Sequence, residues 1–476
     1  MTACLSCILV GYSFFNIFMH FTNLTRHIEI GANCYCLDIA GKRIVLDSGM
    51  HPKQESEAAM PDFDLLPPDS VDAIILSHAH HDHLGTLPVL MRRHPRALVF
   101  MSEPTKHLSD VMLHNSVNVM SKKREELGIA SYPLFTHREL EKLVQRWEAK
   151  PLRTPFGIDG ERIGSDENPE LSIEFFDAGH ILGSVGTLIR GEGRTLFYTG
   201  DVNFENQTIS QGAQFPQEPL DIVITETTRG DFAQAPGFTR AQEELRLGKA
   251  INTAFARGGC VLMPLFALGK TQEMLAMFFE FRRKGMLSTS VPIYIGGLST
   301  KLTEIHDKLA MAWPRQKSNL QLLDAVAPFV IAGRQADPPI VKERIYALSS
   351  GMMTEKTLSN SFARRVLENP NHTIIFVGFA DPASPAGKIK AAQPGDTVVL
   401  DPDLDPLKLK CHVEQFAFSG HSTRETICNY LKSVTPKKVI LVHGDLPAVE
   451  WFNETLKADL PESEIIRPQP GIRLEV

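Results

Sequence analysis

The fold of this chain is decided by the stretch Ser77-His78-Ala79-His80-His81-Asp82-His83-Leu84-Gly85. It follows an apolar run at residues 71–76 that is typical of a buried strand. A tight loop at the C-terminal end of a strand is where α/β sheets place their ligand sites. Imidazole and carboxylate groups suit Zn²⁺. One tetrahedral ion would not need four such groups from one loop. The spacing therefore favours two ions, with His78 and His80 on one and Asp82 and His83 on the other.

This run resembles the His-x-His-x-Asp-His signature of the metallo-β-lactamase superfamily, including the Leu84-Gly85 that follows it there. The alternative is a solvated histidine-rich turn in a chain that has 17 histidines. A fortuitous cluster would not need an ordered strand before it or a glycine after it, so metal binding is favoured. The resemblance implies an α/β fold, the αββα sandwich of this superfamily, and a hydrolytic activity.

Length and composition limit the other possibilities. At 476 residues the chain is too long for one ordinary hydrophobic core and suits two domains. The net charge of -7 gives no general attraction to nucleic acid, so RNA or DNA binding would need a local basic groove. The seven cysteines are scattered and odd in number, which favours a reducing cytoplasm over a disulfide framework.

The N-terminus carries an apolar stretch at residues 4–19. No Lys or Arg precedes it, which argues against a signal peptide. It is short for a membrane span, and Asn16 interrupts it. We expect residues 1–26 to be a dispensable extension or a misassigned start, although Met19 lies just before a strand that would start the fold naturally. Membrane anchoring is the alternative, with no stable membrane association otherwise.

Three further residues join the metal loop when they are taken in chain order. Asp47, in a Leu-Asp-x-Gly-x-His-Pro run that resembles the first superfamily motif, would orient ligand histidines; alone it could equally start a turn. His180 follows a glycine that lets the backbone approach closely, and in this order it is predicted as the third ligand of the first ion. Asp201 ends a strand, and its carboxylate can bridge two cations, which a neutral imidazole cannot do.

The sequence pattern changes at residues 229–393, where strand-like apolar runs alternate with helical patterns. That alternation predicts a parallel α/β domain, inserted between segments of the first domain and lying over its site. The first domain would then comprise residues 27–228 and 394–476. The strand-like runs of the insertion are residues 260–265, 291–295, 345–348 and 373–377.

His443, at the end of a strand at residues 437–442, completes two predicted ligand sets. Two Zn²⁺ ions held ~3.5–4 Å apart can generate a nucleophile at neutral pH and clamp both reacting oxygens of a phosphodiester. The expected cofactor is therefore two Zn²⁺ per chain. The first set is His78, His80, His180 and Asp201, and the second is Asp82, His83, Asp201 and His443.

Glu226 and His421 are not needed as ligands, yet strand-end loops deliver both near the metal edge. A histidine that a carboxylate orients and keeps protonated is a competent general acid for an alkoxide leaving group. The alternative for His421 is a substrate-holding or ligand-orienting role. We therefore predict Glu226, His421, Asp82 and Asp201 as the catalytic residues.

The order of these motifs over about residues 27–460 resembles the β-CASP family, especially its RNA-processing members. Glu226, His421 and His443 fall where that family has three extra motifs. Residues 263–273 are similar to its Pro-x-Phe-Ala-x-Gly-Arg/Lys-x-Gln-Glu segment. The resemblance implies an inserted β-CASP domain and a zinc-dependent ribonuclease. Histidine at position 443 favours single-stranded RNA, because DNA-directed members typically carry valine there.

Candidate substrate contacts lie outside the metal motifs. Residues 378–384 read Gly-Phe-Ala-Asp-Pro-Ala-Ser where relatives often have Gly-Tyr-x-x-Glu-Gly-Thr. Lys270, near a helix start, is a candidate for holding backbone phosphate, since helix N-termini favour anions, or it is a solvated helix lysine. Ser350 and Ser384 are similar candidates.

Three other functions compete with a ribonuclease: a DNA nuclease, a thioester or lactam hydrolase, and a non-catalytic RNA-binding scaffold. The inserted domain would cover a cleft long enough for a polymer, which argues against a small-molecule substrate. Every ligand position is filled, which argues against a scaffold. Endonuclease versus exonuclease mode stays open, as does the oligomeric state, with a homodimer among the options.

Overall fold

The computed structural model describes residues 19–331 and 338–476. The apolar stretch, apart from Met19, lies outside these ranges. No helix within them is both long and apolar enough to cross a membrane. The strands are β1 (His20–Asn23), β2 (Tyr35–Ile39), β3 (Lys42–Leu46), β4 (Ala73–Ile75), β5 (Leu98–Met101), β6 (Trp147–Ala149), β7 (Leu171–Asp177), β8 (Val185–Gly191), β9 (Arg194–Tyr198), β10 (Ile222–Glu226), β11 (Val261–Pro264), β12 (Ile293–Gly296), β13 (Phe329–Ile331), β14 (Ile345–Leu348), β15 (Thr373–Phe376), β16 (Thr397–Val398), β17 (Leu407–Lys408), β18 (His412–Gln415), β19 (Lys438–Val442), β20 (Glu464–Ile466) and β21 (Arg473–Glu475).

Helices connect and cover these strands. Short 3₁₀ turns occur at Ser56–Ala59, Phe63–Leu65 and Val144–Arg146. The α-helices are α1 (His81–Leu84), α2 (Leu87–Arg93), α3 (Glu103–Leu127), α4 (His137–Leu143), α5 (Arg240–Ala256), α6 (Lys270–Arg283), α7 (Gly297–Lys308), α8 (Leu322–Val326), α9 (Leu358–Val366), α10 (Pro385–Ala391), α11 (Arg424–Val434) and α12 (Leu446–Asp459).

Two sheets form the first domain. The first sheet has the order β21-β1-β2-β3-β4-β5-β6, and the second has the order β20-β19-β10-β9-β8-β7. β2 and β3 form a hairpin, with Leu37 opposite Ile44. Its two-residue turn, Ala40-Gly41, has φ values of 49° and 68°, as expected of the turns that match strand twist.

One hydrophobic core joins the two sheets. Ile74 of β4 and Ile224 of β10 are fully buried in the same cluster. Helix α3 contributes Leu108 to that cluster. On the second sheet, α11 and α12 pack Leu431 and Phe452 into a separate buried cluster. The predicted αββα sandwich is confirmed.

The third sheet belongs to the insertion and has the order β13-β12-β14-β11-β15-β18. All of its strand pairs are parallel. The four predicted strands are present as β11, β12, β14 and β15, with ends that differ by up to two residues. The predicted inserted parallel α/β domain is therefore confirmed, whereas its exact limits stay a prediction.

Two segments differ from the expectation. Residues 20–23, which we assigned to an extension, form β1 and pair with both β2 and β21. Residues 407–418, whose first half alternates apolar and polar side chains as one continuous strand would, form two short strands, β17 and β18. The second of them, β18, pairs with β15 and so extends the sheet of the inserted domain. The pairing of β1 with β21 and that of β18 with β15 join distant strands, which local patterns do not reveal.

Five cysteines have reduced, buried thiols: Cys34, Cys36, Cys260, Cys411 and Cys428. Cys34 and Cys36 are the nearest in sequence, and both are free. This agrees with the expectation that no disulfide framework holds the described part of the chain together. The cytoplasmic location itself stays a prediction.

Candidate metal centre

The metal loop follows β4 and continues into the short helix α1, which begins at His81. Its backbone lies against the loop that follows β3. A Cβ atom on Gly49 would lie only 1.7 Å from the carbonyl oxygen of Asp82. Only glycine permits this approach, which explains the Asp-x-Gly pattern of the first motif. The two loops therefore form one unit at the ends of adjacent strands.

Asp47 organises this unit from a fully buried position. Its Oδ1 accepts the backbone N–H of Ser77 at 2.7 Å, and its Oδ2 accepts the Ser77 hydroxyl at 2.7 Å. The same Oδ2 lies 2.7 Å from Nδ1 of His83 and 2.6 Å from the hydroxyl oxygen of Tyr198. Asp47 thus fixes one predicted ligand directly and the metal loop through Ser77.

The first predicted ligand set comes together in space. Nε2 of His180 lies 3.1 Å from Nδ1 of His80. Oδ2 of Asp201 lies 3.5 Å from Nε2 of His78 and 3.6 Å from Nε2 of His180. One potential ligand atom from each residue lies within 4.8 Å of the others, a spacing that could enclose a metal ion.

The second set shares Asp201 with the first. Nε2 of His443 lies 3.4 Å from Nε2 of His83 and 3.4 Å from Oδ2 of Asp82. The other oxygen of Asp201, Oδ1, lies 3.4 Å from Nε2 of His83 and 3.1 Å from Nδ1 of His443. The two carboxylate oxygens of Asp201 therefore face different ligand groups, an arrangement that suits a carboxylate bridging two ions.

Hydrogen bonds on the outer nitrogens orient the inner nitrogens of three histidines toward the cluster. Nδ1 of His83 faces the Asp47 carboxylate, and Nδ1 of His180 donates to the Gly420 carbonyl at 2.8 Å. Because the Ser77 hydroxyl donates to Asp47, its oxygen accepts from Nδ1 of His78 at 3.0 Å. With Nδ1 engaged in this way, each of these three imidazoles directs its Nε2 at the cluster.

Buried atoms without partners support the same conclusion. Nε2 of His78 and Oδ1 of Asp201 are buried and have no hydrogen-bond partner. Buried polar atoms are almost always satisfied, so an unpartnered atom in each of the two ligand groups points to a missing ion in each. Burial also lowers the pKa values of His78, His80 and His180, favouring the neutral imidazole that binds metals. The residues fit a metal centre.

Glu226 and His421 form a pair beside this cluster. Nδ1 of His421 lies 3.0 Å and 3.1 Å from the two carboxylate oxygens of Glu226. Oε1 of Glu226 also accepts the backbone N–H of Val202, at 2.7 Å. On its other side, Nε2 of His421 lies 4.0 Å from Oδ2 of Asp201. Burial lowers the pKa of His421, but the charges of Glu226 and Asp201 outweigh it and raise the pKa to about 9.

The three predicted substrate contacts are engaged within the protein. The Lys270 ammonium donates to the carbonyl of Phe418. The Ser350 hydroxyl lies 3.0 Å from that of Thr354. Ser384 is the N-cap of α10. Among the described residues, neither serine hydrogen-bonds to the metal-ligand cluster.

Several supporting residues carried no sequence signal. Tyr198 donates to Asp47, as described above, and the Thr228 hydroxyl lies 2.9 Å from Nδ1 of His443. Arg229 donates to the carbonyl of His421 at 3.3 Å. Each lies within three residues of a predicted site residue, Asp201 or Glu226, and that proximity is the only sequence feature that could have suggested it.

Comparisons with known families agree with this geometry. Residues 28–246 match the metallo-beta-lactamase superfamily, residues 271–389 match the Beta-Casp domain, and residues 406–468 match a domain described as a Zn-dependent metallo-hydrolase RNA specificity domain. The chain belongs to the β-CASP family of the metallo-β-lactamase superfamily. Membership in this superfamily implies that the β-CASP chain binds metal.

Curated relatives of this β-CASP chain are similar along most of its length. It is 27% identical to Endoribonuclease ysh1 of Schizosaccharomyces pombe over 90% of this chain and 54% of that protein. It is 27% identical to Cleavage and polyadenylation specificity factor subunit 3-II of Arabidopsis thaliana, over 91% of this chain and 68% of the relative. It is 28% identical to Transcription termination factor FttA of Methanothermobacter thermautotrophicus, over 88% of this chain and 65% of that protein.

The chain spans about half the length of the yeast endoribonucleases that it matches. A crystal structure of a protein of unknown function from Enterococcus faecalis V583 is also similar, with a TM-score of 0.55 and 12% identity. That likeness covers 96% of this chain and 100% of the other. At this level of identity it shows the shared fold alone.

Proposed function

We propose that this chain is a zinc-dependent endoribonuclease that hydrolyses phosphodiester bonds in single-stranded RNA. One observation carries the proposal: His421, paired with Glu226, presents its free Nε2 4.0 Å from the Asp201 carboxylate. A hydrolase that only needed to activate water would not need this pair. A phosphodiesterase does need it, because the leaving alkoxide must acquire a proton.

The proposed cofactor is two Zn²⁺ ions. One would be held by His78, His80, His180 and Asp201, and the other by Asp82, His83, His443 and Asp201. When bound, two such ions lower the pKa of a water molecule and offset charge on the reacting phosphate. Histidine and carboxylate ligands without thiolates suit zinc in this role.

The side chains of the protein supply orientation and a proton. As the oxygen of water bonds to phosphorus and its proton passes to solvent, the bond from phosphorus to the 3′ oxygen breaks. His421 transfers its Nε2 proton to that oxygen and regains a proton from solvent afterwards. The products are a 3′ hydroxyl and a 5′ phosphate. Glu226 keeps Nδ1 of His421 bonded, so that the proton to be donated stays on Nε2.

RNA is the proposed substrate for two reasons. The domain matched by residues 406–468 is described as an RNA specificity domain, and it includes both His421 and His443. The relatives from S. pombe, Candida glabrata and Eremothecium gossypii are named endoribonucleases. We therefore infer endonucleolytic cleavage in RNA processing. A homodimer stays a prediction of the sequence.

The test uses RNA and DNA strands of one sequence, labelled at one end or the other, with the zinc-loaded protein. We expect internal cuts in RNA, little cleavage of DNA, and 5′ phosphates on the new ends. His421→Ala should reduce the rate by about 10²–10⁴-fold and keep its zinc. His107→Ala is the matched control, because His107 pairs with Glu103 on α3 and not with the cluster. Faster cleavage of DNA, or full activity of His421→Ala, would contradict the proposal.

A further inference from the structure

The segment at residues 269–273 begins helix α6 of the inserted domain, and its backbone N–H groups are already bonded. The N–H of Gly269 donates to Oε1 of Gln272 at 2.8 Å, and the N–H of Lys270 to the Leu268 carbonyl at 3.1 Å. The N–H of Thr271 donates to the carbonyl of Phe266 at 3.1 Å. A helix start binds an anion through free N–H groups. Three of the N–H groups at the start of α6 are therefore already bonded and are not free to bind a phosphate.

The same segment joins the inserted domain to the first domain. Gly269 has a φ of +81°, and a Cβ atom there would lie 2.6 Å from Ile181, the residue after His180. The Glu273 carboxylate accepts the backbone N–H groups of Thr208 and Ile209 at 2.8 Å and 3.1 Å. Glu273 also pairs with Arg240. The start of α6 is therefore fixed to the loops that follow β7 and β9.

Lys270 connects this junction to the loop that carries His421. Its ammonium donates to the carbonyl of Phe418, three residues before His421. Two other donors hold the same loop. Nδ1 of His180 donates to the carbonyl of Gly420 at 2.8 Å, and Arg229 donates to that of His421 at 3.3 Å.

Residues 418–421 thus have three carbonyl oxygens held by three separate parts of the chain: the inserted domain, a predicted metal ligand and the loop after β10. The loop lies outside any regular strand or helix, so these bonds replace the backbone pairing that would otherwise fix it. Acid catalysis needs Nε2 of His421 within hydrogen-bond reach of the leaving oxygen. A displacement of about 1 Å can cost on the order of 10²-fold in rate.

We propose that Lys270 and Arg229 are positioning residues, which hold the loop at residues 418–421 so that His421 faces the leaving oxygen. Through Lys270, the inserted domain then contributes to the chemical step as well as to covering the cleft. The inference rests on the proposed nuclease function. It assigns Lys270 a role different from binding backbone phosphate.

The two roles for Lys270 predict different kinetics. A lysine that binds phosphate holds substrate and transition state alike, so its loss mainly raises KM. A lysine that positions the general acid acts only as the leaving group departs, so its loss lowers kcat. If Lys270 acts by positioning His421, the effect of replacing Lys270 should vanish in a variant that lacks the His421 imidazole.

The first experiment compares Lys270→Met with Lys284→Met, a control at the other end of α6 that lies beside Glu244. We expect Lys270→Met to lower kcat for RNA by about 10–100-fold with KM and zinc content unchanged. In a His421→Ala background, Lys270→Met should cause no further loss. A raised KM with normal kcat, or additive losses, would overturn the inference. If Lys270→Met fails to fold, Arg229→Gln provides the same comparison.

The second experiment uses RNA in which sulfur replaces the 3′ bridging oxygen at the cleavage site. A thiolate leaves without protonation, so the variants that misplace His421 should cleave this substrate at the wild-type rate. A defect that persists would overturn the inference. Wild-type protein that cleaves neither RNA would instead contradict the proposed function, so the two failures are distinguishable.

Discussion

Both carboxylate oxygens of Glu226 lie within 3.1 Å of Nδ1 of His421, and the opposite nitrogen of that ring faces Asp201. The ring is thereby held between a buried carboxylate and the metal-ligand cluster. A protonated histidine in this position can donate only through Nε2. The pH dependence of cleavage is the property that reports on this relationship most readily.

Glu226→Gln should move the alkaline limb of the pH–rate profile to lower pH. Burial lowers the pKa of His421, but Glu226 and Asp201 raise it to about 9, so the acid form persists through neutral pH and is lost as pH rises further. Removing the charge of Glu226 removes the largest of the raising effects. The measurement is kcat for RNA across pH, with Glu425→Gln, an exposed carboxylate, as control. An unshifted limb would show that Glu226 does not set the protonation of His421.

Asp47→Asn should weaken zinc binding by about 10–100-fold, the usual cost of removing a residue that orients a ligand histidine. The amide cannot accept from His83, Ser77 and Tyr198 in the way that the carboxylate does. Affinity is measured by competition with a chelator. Tyr198→Phe removes a single donor and should have a smaller effect. Equal affinities in Asp47→Asn and wild type would exclude this role for Asp47.

Asp201→Asn and His443→Ala should differ in metal content. Asp201 presents one oxygen to each ligand group, so its loss should reduce zinc at both positions. His443 lies beside Asp82, His83 and Oδ1 of Asp201, the oxygen assigned to the second ion, so its loss should spare the first ion. Elemental analysis after dialysis measures both. Zinc retained fully by Asp201→Asn would contradict the bridging assignment.

Asp177→Asn should stabilise the fold at alkaline pH. Burial raises the pKa of Asp177 to about 7, although a hydrogen bond from Gly179 partly opposes this. A carboxyl group titrates near 3.9 in the unfolded chain. Its contribution to stability is therefore complete below about pH 4 and is lost as pH rises to about 7. The free energy of unfolding at pH 8 should rise by up to a few kcal/mol, and the gain should disappear at pH 4.

Asp166→Asn serves as the control for that measurement, because Asp166 is exposed. Its free energy of unfolding should match that of the wild type at both pH values. If Asp177→Asn were less stable than wild type at pH 8, the charged carboxylate would be the form that the fold prefers.

The sequence was most informative about the metal cluster, because metal binding requires histidine or carboxylate side chains at particular strand ends. Each residue of the metal cluster lies in a loop or short helix after a buried strand, so motif order and strand patterns together predicted which residues meet. The structure brings together His78, His80, Asp82, His83, His180, Asp201 and His443. Their roles as ligands are the proposal that the experiments test.

The sequence was least informative where the chain contacts itself across long separations. The bond from Lys270 to the Phe418 carbonyl joins residues 148 positions apart, and a carbonyl acceptor has no sequence signature. Strand β1 has only four residues, and one of its partners, β21, is near the other end of the chain. Strand β18 likewise takes its place through β15. Such contacts become visible only when the tertiary structure is known.

The central claim is that two metal ions share the Asp201 carboxylate, and anomalous diffraction from zinc-loaded crystals tests it most directly. Data collected on either side of the zinc absorption edge should show two peaks, one among His78, His80 and His180 and one among Asp82, His83 and His443. A single peak, or two peaks that do not both contact Asp201, would contradict the account.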